Sequence, residues 1–144
     1  MVSITWLIIA ITVVVSFIAF KTDPLREKLI FYPPAVSENR EYYRFITCGF
    51  IHADFPHLIF NMLSFYLFSN GLVEPEFNSY FGVYGKTALL AFYLTALAIA
   101  ILPTSLKHKH NTNYRSLGAS GAVSAVVFAG IMISPLSLLG FFLF

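Results

Sequence analysis

Charge is scarce in this sequence. Only 11% of its 144 residues are Asp, Glu, Lys or Arg, against about a quarter in soluble domains. The apolar residues also gather into long runs with the charges between them. That distribution excludes a water-solvated fold and points to a lipid bilayer. Cysteine is nearly absent: the single Cys48 excludes an internal disulfide and any Cys-based metal site. No basic stretch precedes the first apolar run and no small-residue cleavage pattern stands before Lys21, so a retained helix is expected there rather than a signal peptide. The nine Lys and Arg are scattered and the net charge is +2, which leaves no basic face for nucleic acid.

What is present is apolar: 58% of the residues are hydrophobic and the mean hydropathy is +0.75. The runs predict an all-α, polytopic transmembrane bundle as one membrane domain over residues 1–144, with spans at about 4–20, 57–72, 87–102 and 117–134. Each is long enough, at about 1.5 Å per residue, to cross most of a hydrocarbon core of about 30 Å. Asp54 is expected to cap the second span with Pro56 in its first turn, Pro103 to stop the third, and Pro135 to follow the fourth. Residues 136–144 read as the start of a fifth span that the chain does not finish.

The connection over residues 21–56 interleaves Arg26, Glu27, Lys28, Arg40, Glu41 and Arg44 with Phe31, Tyr32, Tyr42, Tyr43, Phe45 and Phe50. Such a mixture suits the membrane interface, so a structured interfacial loop is expected. The first and third connections hold eight Lys and Arg and the second holds one. That count alone puts the first connection in the cytoplasm.

Polar residues inside apolar spans are costly and carry the functional expectations. His57 and Asn61, four apart, share one helix face and can converge on a point; an interhelical hydrogen-bond pair that holds a bundle together would use the same pattern. Ser120, in Gly118-Ala119-Ser120-Gly121, stands at the expected first turn of the fourth span. Free N–H groups there favour a developing oxyanion. The bland alternative is close packing, because Gly121, Ala125 and Ala129 repeat at the spacing that lets helices approach.

Two other patterns carry nothing. Gly85-Lys86-Thr87 ends like a phosphate loop, but Tyr80 stands where the loop needs glycine. His108 and His110 lack further metal ligands nearby. No cofactor or metal is expected.

Taken together, His57-Leu-Ile-Phe-Asn61 and Gly118-Ala119-Ser120-Gly121 resemble the two signature motifs of rhomboid intramembrane proteases. Glu41-x-Tyr43-Arg44-x-x-Thr47 is similar to that family's Glu-x-Trp-Arg-x-x-Thr, and His52 stands five before His57 as family members often show. Gly71-Leu-Val-Glu74 resembles its Gly-x-x-x-Glu with one residue fewer. The resemblance runs from about Glu41 to Ala129.

It implies a six-helix core in which Ser120 is the nucleophile and its backbone N–H joins the His57 and Asn61 side chains as the oxyanion hole. The base is a histidine of the sixth helix, expected beyond Phe144, so the chain as given is expected to be inactive. Ser124 stands where some members carry Tyr against the base. Arg44 and Glu74 are expected to support the first loop, and His52 to assist loop hydrogen bonding or water supply. The implied setting is a multi-pass protein of a bacterial inner membrane, in contact with lipid, whose partners are transmembrane-helix substrates and whose first loop lies on the extracytoplasmic side, opposite to the charge count. A noncatalytic relative that binds transmembrane helices is the alternative. A solute carrier fits least, since no Asp, Glu, Lys or Arg lies inside the spans.

Overall fold

In lipid a backbone must satisfy its own hydrogen bonds, and a helix does so within one segment. The apolar runs accordingly form helices in the computed structural model, which describes residues 3–135. The expected start of a fifth span at 136–144 lies outside the described residues. Among the described residues eight α-helices follow in order: α1 (Ile4–Lys21), α2 (Asp23–Leu29), α3 (Pro33–Asn39), α4 (Arg44–Thr47), α5 (Phe55–Phe65), α6 (Glu74–Phe81), α7 (Gly85–Lys107) and α8 (Ser120–Ile133). A wide-turned π segment, Tyr66–Val73, joins α5 to α6, and short 3-10 turns occupy Cys48–Phe50 and Gly82–Tyr84.

Among the described residues two helical runs are long and apolar enough to cross a membrane, Ile4–Lys21 and Phe55–Lys107, while Ser120–Ile133 is shorter. The second run has 53 residues, and as one straight helix it would span about 80 Å, more than twice the hydrocarbon thickness. It folds back instead at Gly82, whose φ of 54° lies in the region that favours glycine. The returning α7 packs along the outgoing helices. Phe77 meets Phe92 with ring centroids 5.8 Å apart, and Phe65 meets Tyr93 at 5.0 Å. A side chain at Gly85 would collide with the Asn78 backbone, 2.5 Å from its Cβ position, so glycine lets the hairpin close.

The helix from Asp54 begins as expected. The Asp54 carboxylate accepts from the His57 N–H at 2.8 Å, with Pro56 in the first turn. Its end differs, because the helical path continues past residue 72 through the π segment into α6. Pro103 does not stop α7 either: the helix carries it and runs on to Lys107. It lies in the last turns, where losing one intrahelical bond interrupts little, and the remaining bonds are worth keeping in apolar surroundings.

The core follows helical spacing. Leu58, Met62 and Phe65 of α5, Leu89, Tyr93 and Leu97 of α7, and Ala122 and Val126 of α8 pack with Ile4 and Ile8 of α1 in one cluster. The opposite faces expose Phe60, Leu63, Phe128 and Met132, as suits helices solvated by lipid. Glycine sets the spacing of α8, because a Cβ at Gly121 would run into Ala100 of α7 and one at Gly130 would press on Phe68 at 3.1 Å.

Glu74 corrects an expectation. It does not support the first loop but grips the start of α1. Its Oε1 accepts from the Ile4 N–H at 3.0 Å, and its Oε2 from the Thr5 N–H at 3.1 Å and the Ser3 and Thr5 hydroxyls at 2.6 Å each. The Thr5 hydroxyl hydrogen is engaged by Glu74, so Ser69 Oγ donates to Thr5 Oγ1 at 2.6 Å. A carboxylate at a helix N-terminus satisfies N–H groups that have no intrahelical partner.

Candidate active site

The first connection is a folded platform, as its aromatic and charged composition predicts. Arg44, buried, donates from Nη1 to the carbonyls of Glu27 at 2.8 Å and Ile30 at 2.6 Å, and from Nε to Glu41 Oε2 at 2.6 Å. Hydrogen bonds from Arg44 and then from the Tyr43 hydroxyl hold the Glu41 carboxyl below the usual carboxylate range. Thr47 Oγ1 donates to the Leu29 carbonyl at 2.9 Å. These contacts fix the backbone just before Phe31.

Phe31 passes that order to the segment leading into α8. Its N–H donates to the Ser116 carbonyl at 2.9 Å and its carbonyl accepts from the Ser116 N–H at 3.1 Å. The two Lys- and Arg-rich connections therefore lie at the same end of the bundle. Two residues on, the Gly118 N–H donates to the Cys48 carbonyl at 2.8 Å. Cys48 is itself buried, which pushes its thiol up to about 12 and leaves it un-ionised.

His52 makes the last tie. Its Nε2 accepts from the Ala119 N–H at 3.4 Å and its Nδ1 lies 3.0 Å from Ser16 Oγ, which donates to the Phe50 carbonyl at 3.0 Å. These partners assign one tautomer: Nε2 bare, Nδ1–H donating to Ser16. Loop hydrogen bonding, one of the two expected roles of His52, is thus present. Burial, helped by the nearby His57, lowers its pKa to about 4.

The pH consequence has a definite sign. An unfolded chain takes up the proton near 6.5, so between about 6.5 and 4 it binds more protons than the folded one. The stability His52 confers is full above that window and is lost as pH falls through it. In detergent, thermal stability is expected to fall between pH 7 and pH 4.5 by more in the wild type than in His52→Gln; equal slopes would remove His52 from the explanation.

At the end of this tied segment, Ser120 is the first residue of α8, with Ala119 fully buried before it. N–H groups of a first helical turn have no intrahelical acceptors. Ser120 lines one cleft with Asn61, Ser64 and Ser124, between α5 and α8. Asn61 is 7% exposed and donates from Nδ2 to the His57 carbonyl at 2.9 Å, leaving a second Nδ2 hydrogen available.

His57 does not line the cleft but lies against Gly118, whose φ is 110° and whose Cβ position would be 2.7 Å from His57 Cε1. The His57 ring also stands edge-on to His52 at 5.0 Å. The cleft thus joins Ser120 to Asn61, while His57 packs against Gly118 in the turn that leads to Ser120.

Chemically, this is an exposed hydroxyl beside an amide donor and the free N–H groups of a helix start, which is the equipment of an oxyanion site. No side chain among the described residues hydrogen-bonds Ser120 Oγ. His108 is committed elsewhere, stacked on Tyr114 at 4.0 Å and 3.2 Å from Asn111 Nδ2. The partners of His52 and the seat of His57 were beyond sequence reading, since both are contacts between distant segments. Ser64 was missed, although its place three residues after Asn61 in an apolar run was a usable signal.

The family model of the Rhomboid domain matches residues 39–144. No curated protein and no solved structure matches.

Proposed function

The chain belongs to the rhomboid family, and on that premise we propose that it is an intramembrane serine endopeptidase that cleaves transmembrane segments of membrane proteins. Family and apolar helices together make it an integral membrane protein. A bacterial inner membrane and a bundle of four full spans with the start of a fifth belong to the proposal.

The observation that carries it is the shared cleft of Ser120 and Asn61 at the start of α8, behind a tied segment. Ser120 Oγ attacks the carbonyl carbon of a substrate peptide bond. Its proton passes to a base, a histidine supplied from beyond Phe144, and the new C–O bond makes a tetrahedral oxyanion. The Ser120 N–H and the Asn61 and His57 side chains stabilise that charge; one such donor is worth roughly 100- to 1,000-fold in rate. The protonated base then gives its proton to the leaving amine as the C–N bond breaks, and water hydrolyses the acyl-enzyme.

A noncatalytic member that binds transmembrane helices is the second reading, favoured by the absence of a partner for Ser120 Oγ among the described residues. Cleavage in liposomes separates the two. A version extended by the base-bearing helix is expected to cut a single-pass substrate, with Ser120→Ala lowering the rate at least 1,000-fold and Asn61→Ala about 100-fold. Cleavage that survives Ser120→Ala, or none from a folded extended chain, would contradict the protease reading.

A further inference from the structure

We propose that the far end of α7 is a binding site for one anionic phospholipid, whose phosphate rests on Lys107 and Lys109 and whose acyl chain lies along Ile99, Leu102 and Leu106. The proposal needs the chain to sit in a bilayer and does not depend on the protease reading.

The apolar half of the site is a stripe on α7. Ile99, Leu102 and Leu106 follow one another at spacings of three and four, which puts them on one helix face. They are 62%, 46% and 70% exposed, whereas Leu89, Tyr93 and Leu97 on the other side of α7 are buried. From Ile99 to Leu106 the stripe runs about 10 Å at about 1.5 Å per residue. That is about two-thirds of one leaflet, taken as half of a hydrocarbon core of about 30 Å.

The polar half is positive and lacks a counter-charge. No Asp or Glu occurs after Glu76, yet Lys107, Lys109 and Arg115 follow the stripe. Arg115 is spent: its guanidinium lies 4.6 Å over the Tyr32 ring and its Nε is 3.5 Å from Glu27. Lys107 and Lys109 are exposed and form no ion pair among the described residues, not even with Glu38, which neighbours Ser37. Lys107 also offsets the negative end of α7, but Lys109 lies past the helix and has no such role.

Backbone contacts fix where the lysines stand. The His108 N–H donates to the Thr104 carbonyl at 2.9 Å and the Asn111 N–H to the His108 carbonyl at 2.9 Å, so the chain turns at once on leaving α7. The His108 ring stacks on Tyr114 at 4.0 Å, and the Ser37 hydroxyl of α3 donates to the Lys109 carbonyl at 3.1 Å. A lysine that merely snorkels to the interface needs none of these ties. The turn holds two uncompensated ammonium groups at the end of an exposed apolar stripe. A phospholipid of net negative charge satisfies both halves, whereas an acidic protein segment would match the lysines alone.

The test is lipid binding to this chain in an uncharged detergent, read by native mass spectrometry, with phosphatidylglycerol and phosphatidylcholine of the same acyl chains. A basic residue near anionic headgroups contributes about fivefold, so phosphatidylglycerol should bind about 10- to 25-fold tighter. That ratio should fall to about one or two in Lys107→Gln/Lys109→Gln and persist in Lys107→Arg/Lys109→Arg. Lys21→Gln/Lys28→Gln removes the same charge from the same end of the bundle and should leave the ratio unchanged. Phosphatidylglycerol with a photoreactive acyl chain should label α7 between Ile99 and Leu106. Equal binding of the two lipids, an equal loss in the Lys21 and Lys28 pair, or label confined to other helices would overturn the proposal. An Asp-rich peptide that binds Lys107 and Lys109 more tightly than the lipid would also overturn it, and would make the turn a dock for acidic segments.

Discussion

Gly118→Ala is expected to lower cleavage by the extended protein about 100-fold while leaving it folded. Two effects act together. At a φ of 110° any side chain is strained, at a cost of order 1–3 kcal/mol, and the new Cβ would sit 2.7 Å from His57 Cε1. Something must move, and the candidates are the imidazole and the turn into Ser120. Either displacement misplaces an oxyanion donor, and one such donor is worth roughly 100- to 1,000-fold. His57→Ala removes the ring that the methyl would strike, so Gly118→Ala/His57→Ala should be little worse than His57→Ala alone. Rates from Gly118→Ala near wild type, or losses that simply multiply in the double variant, would contradict the close packing of that turn on His57.

Glu74→Ala should be the most damaging single change for stability, at about 3 kcal/mol or more, because four donors at the start of α1 lose one buried carboxylate. For a chain of this size that corresponds to about 10 °C in midpoint. Glu74→Gln keeps an acceptor oxygen and should recover about half of the loss. Thermal unfolding in detergent reads both, and an unchanged midpoint in Glu74→Ala would show that α1 is held by its apolar face alone.

The sequence announced what depends on neighbouring residues. The cap at Asp54 with Pro56 behind it and the place of Ser120 in the first turn of its helix are local patterns, and both appear. It misled where a local rule met a longer-range demand. Pro103 should end a helix, yet α7 carries it to Lys107, and the helix from Asp54 runs past residue 72 into a π segment that no periodicity marked. Partners dozens of residues apart were illegible: Glu74 with Ser3 and Thr5, His52 with Ser16 and Ala119, Phe31 with Ser116. Those contacts turn a list of candidate residues into a held turn, because Arg44 orders the backbone before Phe31, Phe31 orders Ser116, and the tie continues to Ser120.

The most direct measurement is to react the extended protein with a fluorophosphonate and locate the adduct by mass spectrometry. A nucleophilic Ser120 gives one adduct, on Ser120 Oγ, which disappears in Ser120→Ala and weakens in Asn61→Ala. An adduct on Ser64 or Ser124 instead, or a folded protein that forms none, would contradict Ser120 as the nucleophile and leave a helix-binding cleft as the function of this site.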